Sequence, residues 1–270
     1  MKASRVVIAA LAPLVVWPLT ACDPFDTGFE EVEDAESYRA SKMTAPPDDV
    51  DELTVMSWNI KFAGGRIDFF YDCHGERVIM EKDEVLEHLE GLAEKIEQVD
   101  PDVLILQEVD VDSKRTAEID QVEWLLEHTD LNYGAYASQW RSRYIPKHGL
   151  GKVDSGNAIL ARWPLEDAER TALPLIEAQD PITRYFYLKR NILRARLEVP
   201  DREPLWVIDT HTAAFATDDT RARQIDRVEE ELARLDEADK TFVMGADLNT
   251  VPPHSERRKD FPDTSCDDEN

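Results

Sequence analysis

Four polar residues of the chain stand where short apolar stretches end. Asn59 lies near the end of a stretch rich in β-branched residues, Glu108 follows the run Val-Leu-Ile-Leu-Gln, and Asp247 and Asn249 follow a third apolar stretch. Carboxylate and amide oxygens are the hard ligands that Mg²⁺ and Mn²⁺ prefer, and a metal ion so held can polarise a phosphoryl oxygen and activate water. Taken singly, each residue has an ordinary role as a turn former or loop residue. Their occurrence together predicts a divalent-metal site at the strand ends.

Five short motifs that include these residues occur in a fixed order along the chain. The order and spacing resemble those of the endonuclease/exonuclease/phosphatase superfamily, which includes pancreatic-type deoxyribonucleases, abasic-site endonucleases, bacterial sphingomyelinases and inositol-phosphate phosphatases. The resemblance covers residues 53–253 and implies cleavage of a phosphate ester by metal-activated water. The motifs are Ser57-Trp58-Asn59-Ile60, Leu106-Gln107-Glu108-Val109, Gly156-Asn157-Ala158-Ile159-Leu160, Asp209-Thr210-His211 and Gly245-Ala246-Asp247-Leu248-Asn249.

The resemblance implies a role for each matching residue. Glu108 resembles the principal ligand of the metal, Mg²⁺ or Mn²⁺, and Asn59 resembles the residue that contacts the metal-bound phosphate. Asp247 resembles the carboxylate that orients or deprotonates the attacking water. Asn249 resembles the amide that holds the phosphate in its transition state, and His211 resembles a histidine that bonds the phosphate or the leaving group. These roles suit a phosphodiester, which needs charge neutralisation, an aligned water and a proton for the leaving oxygen.

Three further polar residues each have two possible roles. Asn157 either fixes a turn or approaches the phosphate of the substrate. Arg190 and Arg194 lie in a stretch with strand-like alternation, where an arginine can meet a phosphate. We expect both arginines to be outward-facing surface charges instead.

The sequence departs from the family pattern near its C-terminus. The pattern continues to a Ser-Asp-His segment, and none follows Asn249 in this sequence, whose last histidine is His254. Two explanations stay open. We favour the first, that the sequence is part of a longer protein, because a chain without those strands would expose a sheet edge. The second is a shortened, catalytically impaired member of the family, which would serve as an envelope binding protein that retains the fold.

The apolar pattern predicts helices that alternate with strands in the first half of the domain and strands that cluster in its middle. Such a mixture favours packed sheets with helices outside. The resemblance sharpens this to an α/β (α+β) fold, a four-layer α/β/β/α sandwich with two mixed sheets, in which the C-terminal strands are expected to be missing. The predicted strands span 53–60, 103–106, 156–161, 205–210 and 241–245, with one long or two short strands in 184–199, and the predicted helices span 81–98, 116–128 and 217–235.

The N-terminus has the pattern of an export signal. A positive start and a short apolar stretch lead to Leu19-Thr20-Ala21-Cys22, which resembles a bacterial lipobox. That resemblance implies cleavage before Cys22, lipid attachment to this cysteine, and a protein anchored to a membrane of the cell envelope and facing the periplasm or the exterior. The predicted organisation is a signal peptide over 1–22, an acidic disordered tether over 23–52 and one domain over 53–270. Whether Cys73 and Cys266 form a disulfide stays open.

The formal net charge of −26 narrows the class of substrate. Proteins that grip duplex DNA normally present a basic face to its phosphates, so duplex DNA is an improbable main partner. Small phosphate esters remain compatible, because a bound divalent metal can reverse the local field. Phospholipid head groups and other nucleic acids also stay open as substrates. We expect the protein to be a monomer.

Overall fold

The computed structural model of the protein describes residues 23–47, 50–72 and 75–251. The α-helices within them are α1 (Lys82–Val99), α2 (Gln121–Glu127), α3 (Pro181–Phe186) and α4 (Thr220–Glu237). The strands are β1 (Val32–Asp34), β2 (Glu36–Arg39), β3 (Val55–Asn59), β4 (Val103–Asp110), β5 (Tyr133–Ile145), β6 (Gly151–Ala161), β7 (Leu165–Ala172), β8 (Asn191–Leu197), β9 (Leu205–His211) and β10 (Phe242–Asp247). The predictions for Cys22, Cys73, Cys266 and the C-terminal segment lie outside the described residues.

Two five-stranded sheets carry the fold, with strand orders β1-β7-β8-β9-β10 and β2-β5-β6-β4-β3. Each sheet contains one parallel pair, β9 with β10 in the first and β3 with β4 in the second. The other neighbouring strands are antiparallel. The predicted pair of mixed sheets is therefore confirmed.

Apolar side chains on β4 explain how the layers are assembled. Leu104 and Leu106 pack with the apolar faces of α1 and α2. Ile105, on the opposite side of the strand, packs with Val207 of the other sheet. Both faces of β4 are buried, which is why its sequence is a continuous apolar run rather than an alternation.

The outer face of the first sheet is covered by α4. Val228 and Leu235 of this helix form one buried cluster with Ile192 and Ile208 of the sheet. With α1 and α2 on the other side, the order of layers is helix, sheet, sheet, helix, as the resemblance implied. None of the described helices is both long and apolar enough to cross a membrane.

The prediction of a disordered tether over residues 23–52 is wrong for the part that forms β1 and β2. Strand β1 adds an antiparallel edge to the first sheet through β7, and β2 does the same for the second sheet through β5. Arg170 is almost fully buried, donates to the carbonyl oxygen of Glu30 at 3.2 Å and lies over the ring of Phe29. The backbone hydrogen bonds of β1 and β2 and the contacts of Arg170 stabilise this segment in spite of its acidic composition. The folded region therefore begins upstream of Leu53.

Other differences concern strands with polar sequences. The strands β5 and β7 were not predicted, because β5 contains many small and polar residues and β7 is mostly charged on its exposed face. The first part of the predicted strand over 184–199 is instead the end of α3, which Asp180 caps by accepting from two backbone N–H groups. The remaining predicted strands and helices occur, with ends shifted by a few residues.

Candidate functional site

The predicted site residues converge because two parallel strand pairs end on the same side of the sandwich. Asn59 is paired with Gln107 across β3 and β4, and Asp247 is paired with His211 across β9 and β10. The structure brings the side chains of Asn59, Glu108, His211 and Asp247 together at this edge. Sequence positions up to 188 residues apart thus contribute to one cluster.

Gly245 lets the two sheets approach each other just below the cluster. A Cβ atom at this position would lie 2.5 Å from the Oγ of Ser57 on β3 and 2.9 Å from a methyl carbon of Ile105 on β4. Any larger residue would push β10 away from β3. The glycine therefore permits the contact between Asn59 and Asp247, which lie two residues further along their strands.

A bulge in β4 turns the side chain of Glu108 into the site. The pairing of β4 with β6 shifts register between Leu106 and Val109, and both of these residues pack on the helix side of the sheet. Glu108 has a φ of 57°, in the left-handed region that non-glycine residues seldom occupy. Bulges commonly redirect a side chain at functional sites. Regular alternation would have pointed Glu108 toward the helices instead.

The side-chain amide of Asn59 joins the two acidic residues of the cluster. Its Nδ2 donates to Glu108 Oε1 at 3.1 Å and to Asp247 Oδ2 at 2.8 Å. Its Oδ1 accepts from the backbone N–H of Lys61 at 2.9 Å. The amide oxygen of Asn59, which was expected to contribute to the metal site, thus accepts from the backbone, and the amide nitrogen holds the two carboxylates in place.

His211 lies between the two carboxylates and is almost fully buried. Its Nε2 is 3.6 Å from Asp247 Oδ2, and its Nδ1 is 3.9 Å from Glu108 Oε1. Burial and the nearby charge of Arg190 hold the pKa of His211 well below its ordinary value. The imidazole is therefore neutral at neutral pH and offers one N–H donor. Its Nδ1 has no hydrogen-bond partner among the described residues.

Asn249 forms a tight turn that fixes Asp247. Its backbone N–H donates to Asp247 Oδ1 at 3.0 Å, and its Nδ2 donates to the carbonyl oxygen of Thr212 at 2.9 Å. The φ of Asn249 is 47°, which asparagine tolerates better than most residues. Among the described residues, the second hydrogen of this amide has no partner, and it can bind a ligand. Asn249 is next to the cluster, as predicted, and already has a structural task there.

Asn157 lies opposite the bulge but is turned between the sheets. It occupies β6 between the residues paired with Leu106 and Val109, and it is fully buried. Its Nδ2 is 3.3 Å from Asn191 Oδ1, while its own Oδ1 has no partner among the described residues. No described contact joins Asn157 to the carboxylates, so the structure favours a role between the sheets over contact with a phosphate.

Arg190 is buried, so the expectation that it is an outward-facing surface charge is wrong. Its side chain is 8% exposed, and its Nη1 donates to Gln139 Oε1 at 3.0 Å. Burial lowers the pKa of this arginine, whereas the charges of Glu108 and Asp247 oppose the shift. An arginine remains protonated in proteins, so a buried positive charge lies near the acidic cluster. Arg190 directly precedes β8, which is antiparallel to β9, and this direction brings its start to the edge where β9 ends.

Arg194 has a different environment from Arg190. It pairs with Glu231 of α4 at 2.6 Å and with Glu169 of β7 at 2.9 Å. These pairs tie the helix to the outer face of the first sheet. Arg194 is therefore a structural residue away from the site.

The two carboxylates fit a magnesium ion better than a softer metal. Within the described residues, no three His, Cys, Asp or Glu side chains form a group arranged to hold a metal ion. Mg²⁺ does not need such a group, because it keeps several waters and is commonly held by one or two carboxylates together with substrate phosphates. Glu108 and Asp247 are both partly exposed and supply hard oxygen donors of this kind.

The chain is similar to several solved structures. A crystal structure of an endonuclease/exonuclease/phosphatase protein from Beutenbergia cavernae is 22% identical, with a TM-score of 0.51, over 76% of this chain and 50% of that chain. The human Nocturnin catalytic domain is 19% identical, with a TM-score of 0.49, over 81% of this chain and 68% of that one. A mannosyl-6-phosphatase from Bacteroides thetaiotaomicron is 15% identical, with a TM-score of 0.48, over 76% and 68%.

These similarities concern the fold, and the chain spans half the length of the Beutenbergia protein. A comparison with curated proteins gave no match. The model of the Endonuclease/Exonuclease/phosphatase family matches residues 56–267, a range that contains all of the cluster described above. Strand order, clustered residues and family match agree, and the chain belongs to the endonuclease/exonuclease/phosphatase family.

Proposed function

We propose that the protein is a metal-dependent phosphoesterase that hydrolyses a phosphodiester. The proposal rests on one observation, the meeting of Glu108 and Asp247 across the two sheets with the amide of Asn59 between them. Two half-buried carboxylates at one edge carry more negative charge than the single arginine near them, and this excess favours a bound divalent cation. Membership of the family supports the same class of reaction.

Glu108 and Asp247 are the residues that would hold the metal, Mg²⁺ or Mn²⁺. A divalent ion bound there supplies a Lewis acid for a phosphoryl oxygen and lowers the pKa of water. Asn59 keeps the carboxylates apart and aligned, because one Nδ2 donates to both of them. Fixed geometry of this kind lowers the cost of reorganisation during the reaction.

The remaining residues surround the position of a phosphate with donors. The neutral imidazole of His211 can donate one hydrogen bond to a phosphate oxygen or to the leaving group. Negative charge that develops on the phosphate oxygens can be stabilised by a hydrogen bond from the Asn249 amide and by the positive charge of Arg190. Asp247 can orient the attacking water and accept its proton as the new P–O bond forms. The P–O bond to the leaving group then breaks, and the leaving oxygen takes a proton from solvent water.

The function can be tested with purified protein and three substrates: short single-stranded DNA, sphingomyelin dispersions and bis(p-nitrophenyl) phosphate. We expect product release with Mg²⁺ and none with excess chelator. Glu108→Ala should abolish release, whereas Glu90→Gln, which changes an exposed carboxylate on α1, should leave it unchanged. Absence of metal-dependent release from every substrate would contradict the proposal. Binding without turnover would instead support the envelope binding protein.

We further propose that the protein is held in the cell envelope by lipid on Cys22. The sequence Leu19-Thr20-Ala21-Cys22 after a short apolar stretch supports this address. Expression in a bacterium followed by membrane fractionation tests it. The unaltered protein should sediment with membranes and carry a lipid on its N-terminal peptide, and Cys22→Ser should lack the lipid. A soluble, unlipidated Cys22 protein would contradict the address without affecting the catalytic proposal.

A further inference from the structure

The facing strands β4 and β9 carry successive layers of side chains between the two sheets. Ile105 and Val207 belong to the apolar core. Two positions further along each strand, Gln107 and Asp209 stand on the same faces and are both fully buried. Gln107 Nε2 donates to Asp209 Oδ1 at 2.7 Å. A polar bridge therefore joins the sheets one layer above the apolar pair.

The next layer along these strands is the site itself. Glu108 follows Gln107 directly, and His211 lies two residues after Asp209 on the same face of β9. Gln107 also holds the third strand of the site, because its carbonyl oxygen accepts from the backbone N–H of Ile60 at 3.1 Å. The residue bonded in this way comes directly after Asn59. Gln107 thus connects the strands that bear Asn59, Glu108 and His211.

An apolar pair would pack this layer at least as well as a buried polar bridge. Replacing both partners of a buried hydrogen bond by apolar groups of similar shape is often neutral for stability. Apolar contacts are non-directional, however, so they tolerate sliding of one sheet over the other. A hydrogen bond fixes both the distance and the direction between its strands. The bridge is thus better suited to hold two catalytic edges in register than to stabilise the sandwich.

We propose that Gln107 and Asp209 are positioning residues that set the separation of Glu108 from His211 and Asp247, and thereby the affinity of the site for a divalent metal. The inference rests on the proposed function of the site. Neither residue touches the substrate. Groups that orient metal ligands typically change metal affinity by about 10- to 100-fold when they are removed.

The test measures Mn²⁺ affinity of the whole protein by electron paramagnetic resonance, without substrate. Gln107→Leu and Asp209→Leu should each weaken Mn²⁺ binding by about 10- to 100-fold. Asp209→Asn keeps an acceptor oxygen for Gln107 Nε2 and should bind Mn²⁺ about as well as the unaltered protein. Thr210→Val is the matched control. Thr210 lies next to Asp209 on β9, and its hydroxyl donates a buried 2.9 Å hydrogen bond to the carbonyl oxygen of Asn191 on β8, not to β4.

The double variant Gln107→Leu with Asp209→Leu separates positioning from folding. Removal of both polar partners should restore much of the stability lost in either single variant, while Mn²⁺ affinity stays low. Full Mn²⁺ affinity in a folded double variant would overturn the inference and leave the proposed function standing. Failure of the unaltered protein to bind Mn²⁺ would overturn both together. Weaker Mn²⁺ binding by Thr210→Val would also overturn the inference, because the loss of any buried hydrogen bond would then have the same effect.

Discussion

His211 Nε2 lies 3.6 Å from Asp247 Oδ2, and the two residues are paired in register across the parallel strands β9 and β10. Paired residues of parallel strands place their side chains on the same face of the sheet, so this contact follows from strand pairing. His211 is almost fully buried, whereas the side chain of Asp247 is 31% exposed. Of the two groups, Asp247 is therefore the one that solvent water can reach.

Asp247→Asn should remove both the base and one of the two carboxylates proposed to hold the metal, so its kinetics are compared at saturating Mg²⁺. The amide oxygen of the new side chain can still accept from the backbone N–H of Asn249. We expect kcat to fall by about 10²- to 10⁴-fold with a smaller change in KM, the usual contribution of a general base. Steady-state kinetics on the preferred phosphodiester measures this. Asp236→Asn, on the exposed side of α4, is the control, and equal kinetics in both variants would contradict the role of Asp247.

Arg190→Gln should weaken binding of the phosphate without unfolding the protein. The buried guanidinium lies near the acidic cluster, and it is the only arginine charge that we assign to the proposed site. A charge-assisted hydrogen bond contributes about 1.5–3 kcal/mol, so kcat/KM should fall by about 10- to 100-fold. Arg190→Lys should rescue only part of this loss, because an ammonium group lacks the planar donor pair.

Arg194→Gln is the matched control for Arg190. It lies four residues further along the same chain segment and pairs with Glu231 and Glu169 away from the site. Its loss should lower the free energy of unfolding but leave kcat/KM unchanged. If Arg194→Gln reduced kcat/KM as much as Arg190→Gln does, the assignment of Arg190 to the phosphate would fail.

The positions of the site residues could be predicted, but their conformations could not. Asn59, Glu108 and Asp247 follow apolar stretches that form strands, and the ends of parallel strands meet at one edge of a sheet. The bulge that turns Glu108 into the site has no local signal, because its positive φ is imposed by pairing on both sides of β4. Arg190 was missed for a related reason. The apolar pattern does not reveal that β8 runs antiparallel to β9.

Composition also misled the prediction for the N-terminal segment. Acidic residues and Pro46-Pro47 favour disorder when a segment is judged alone. The carbonyl oxygens of Gly28 and Glu30 instead accept from Arg141 and Arg170, which lie more than a hundred residues further along the chain. The sequence of the segment alone contains no information about partners this far along the chain.

Asp110→Asn should destabilise the protein strongly through a buried ion pair. Arg115 donates from Nε and Nη2 to the two oxygens of Asp110, each at 2.8 Å, and both side chains are almost fully buried. The variant would leave the arginine charge buried without its partner. We expect a loss of about 3–5 kcal/mol in the free energy of unfolding, measured with urea.

An exposed ion pair two residues away provides the control for Asp110. Asp112 pairs with Lys152, and both side chains are largely exposed. Asp112→Asn should change the free energy of unfolding by no more than about 1 kcal/mol, as is usual for surface pairs. Equal losses in the two variants would show that burial of the Asp110 pair does not matter.

Asp154→Asn should stabilise the protein at neutral and alkaline pH. Burial raises the pKa of Asp154 to about 6 from 3.8, although the hydrogen bond from Tyr136 opposes the shift. The folded state therefore binds this proton more tightly than the unfolded state. The resulting stabilisation is fully present below the unfolded pKa and is lost as pH rises through about 6. Above that pH, the native protein contains a buried charge.

Asparagine resembles the protonated acid and keeps an acceptor for the Tyr136 hydroxyl, which donates to Asp154 Oδ1 at 2.8 Å. The variant should exceed the unaltered protein in free energy of unfolding by about 3 kcal/mol near pH 8, because the pKa differs from 3.8 by about two units and each unit corresponds to about 1.4 kcal/mol. The difference should shrink toward zero near pH 4, about the unfolded pKa of aspartate. Urea unfolding at several pH values measures it. A constant difference across that range would mean that Asp154 is ionised normally in the folded protein.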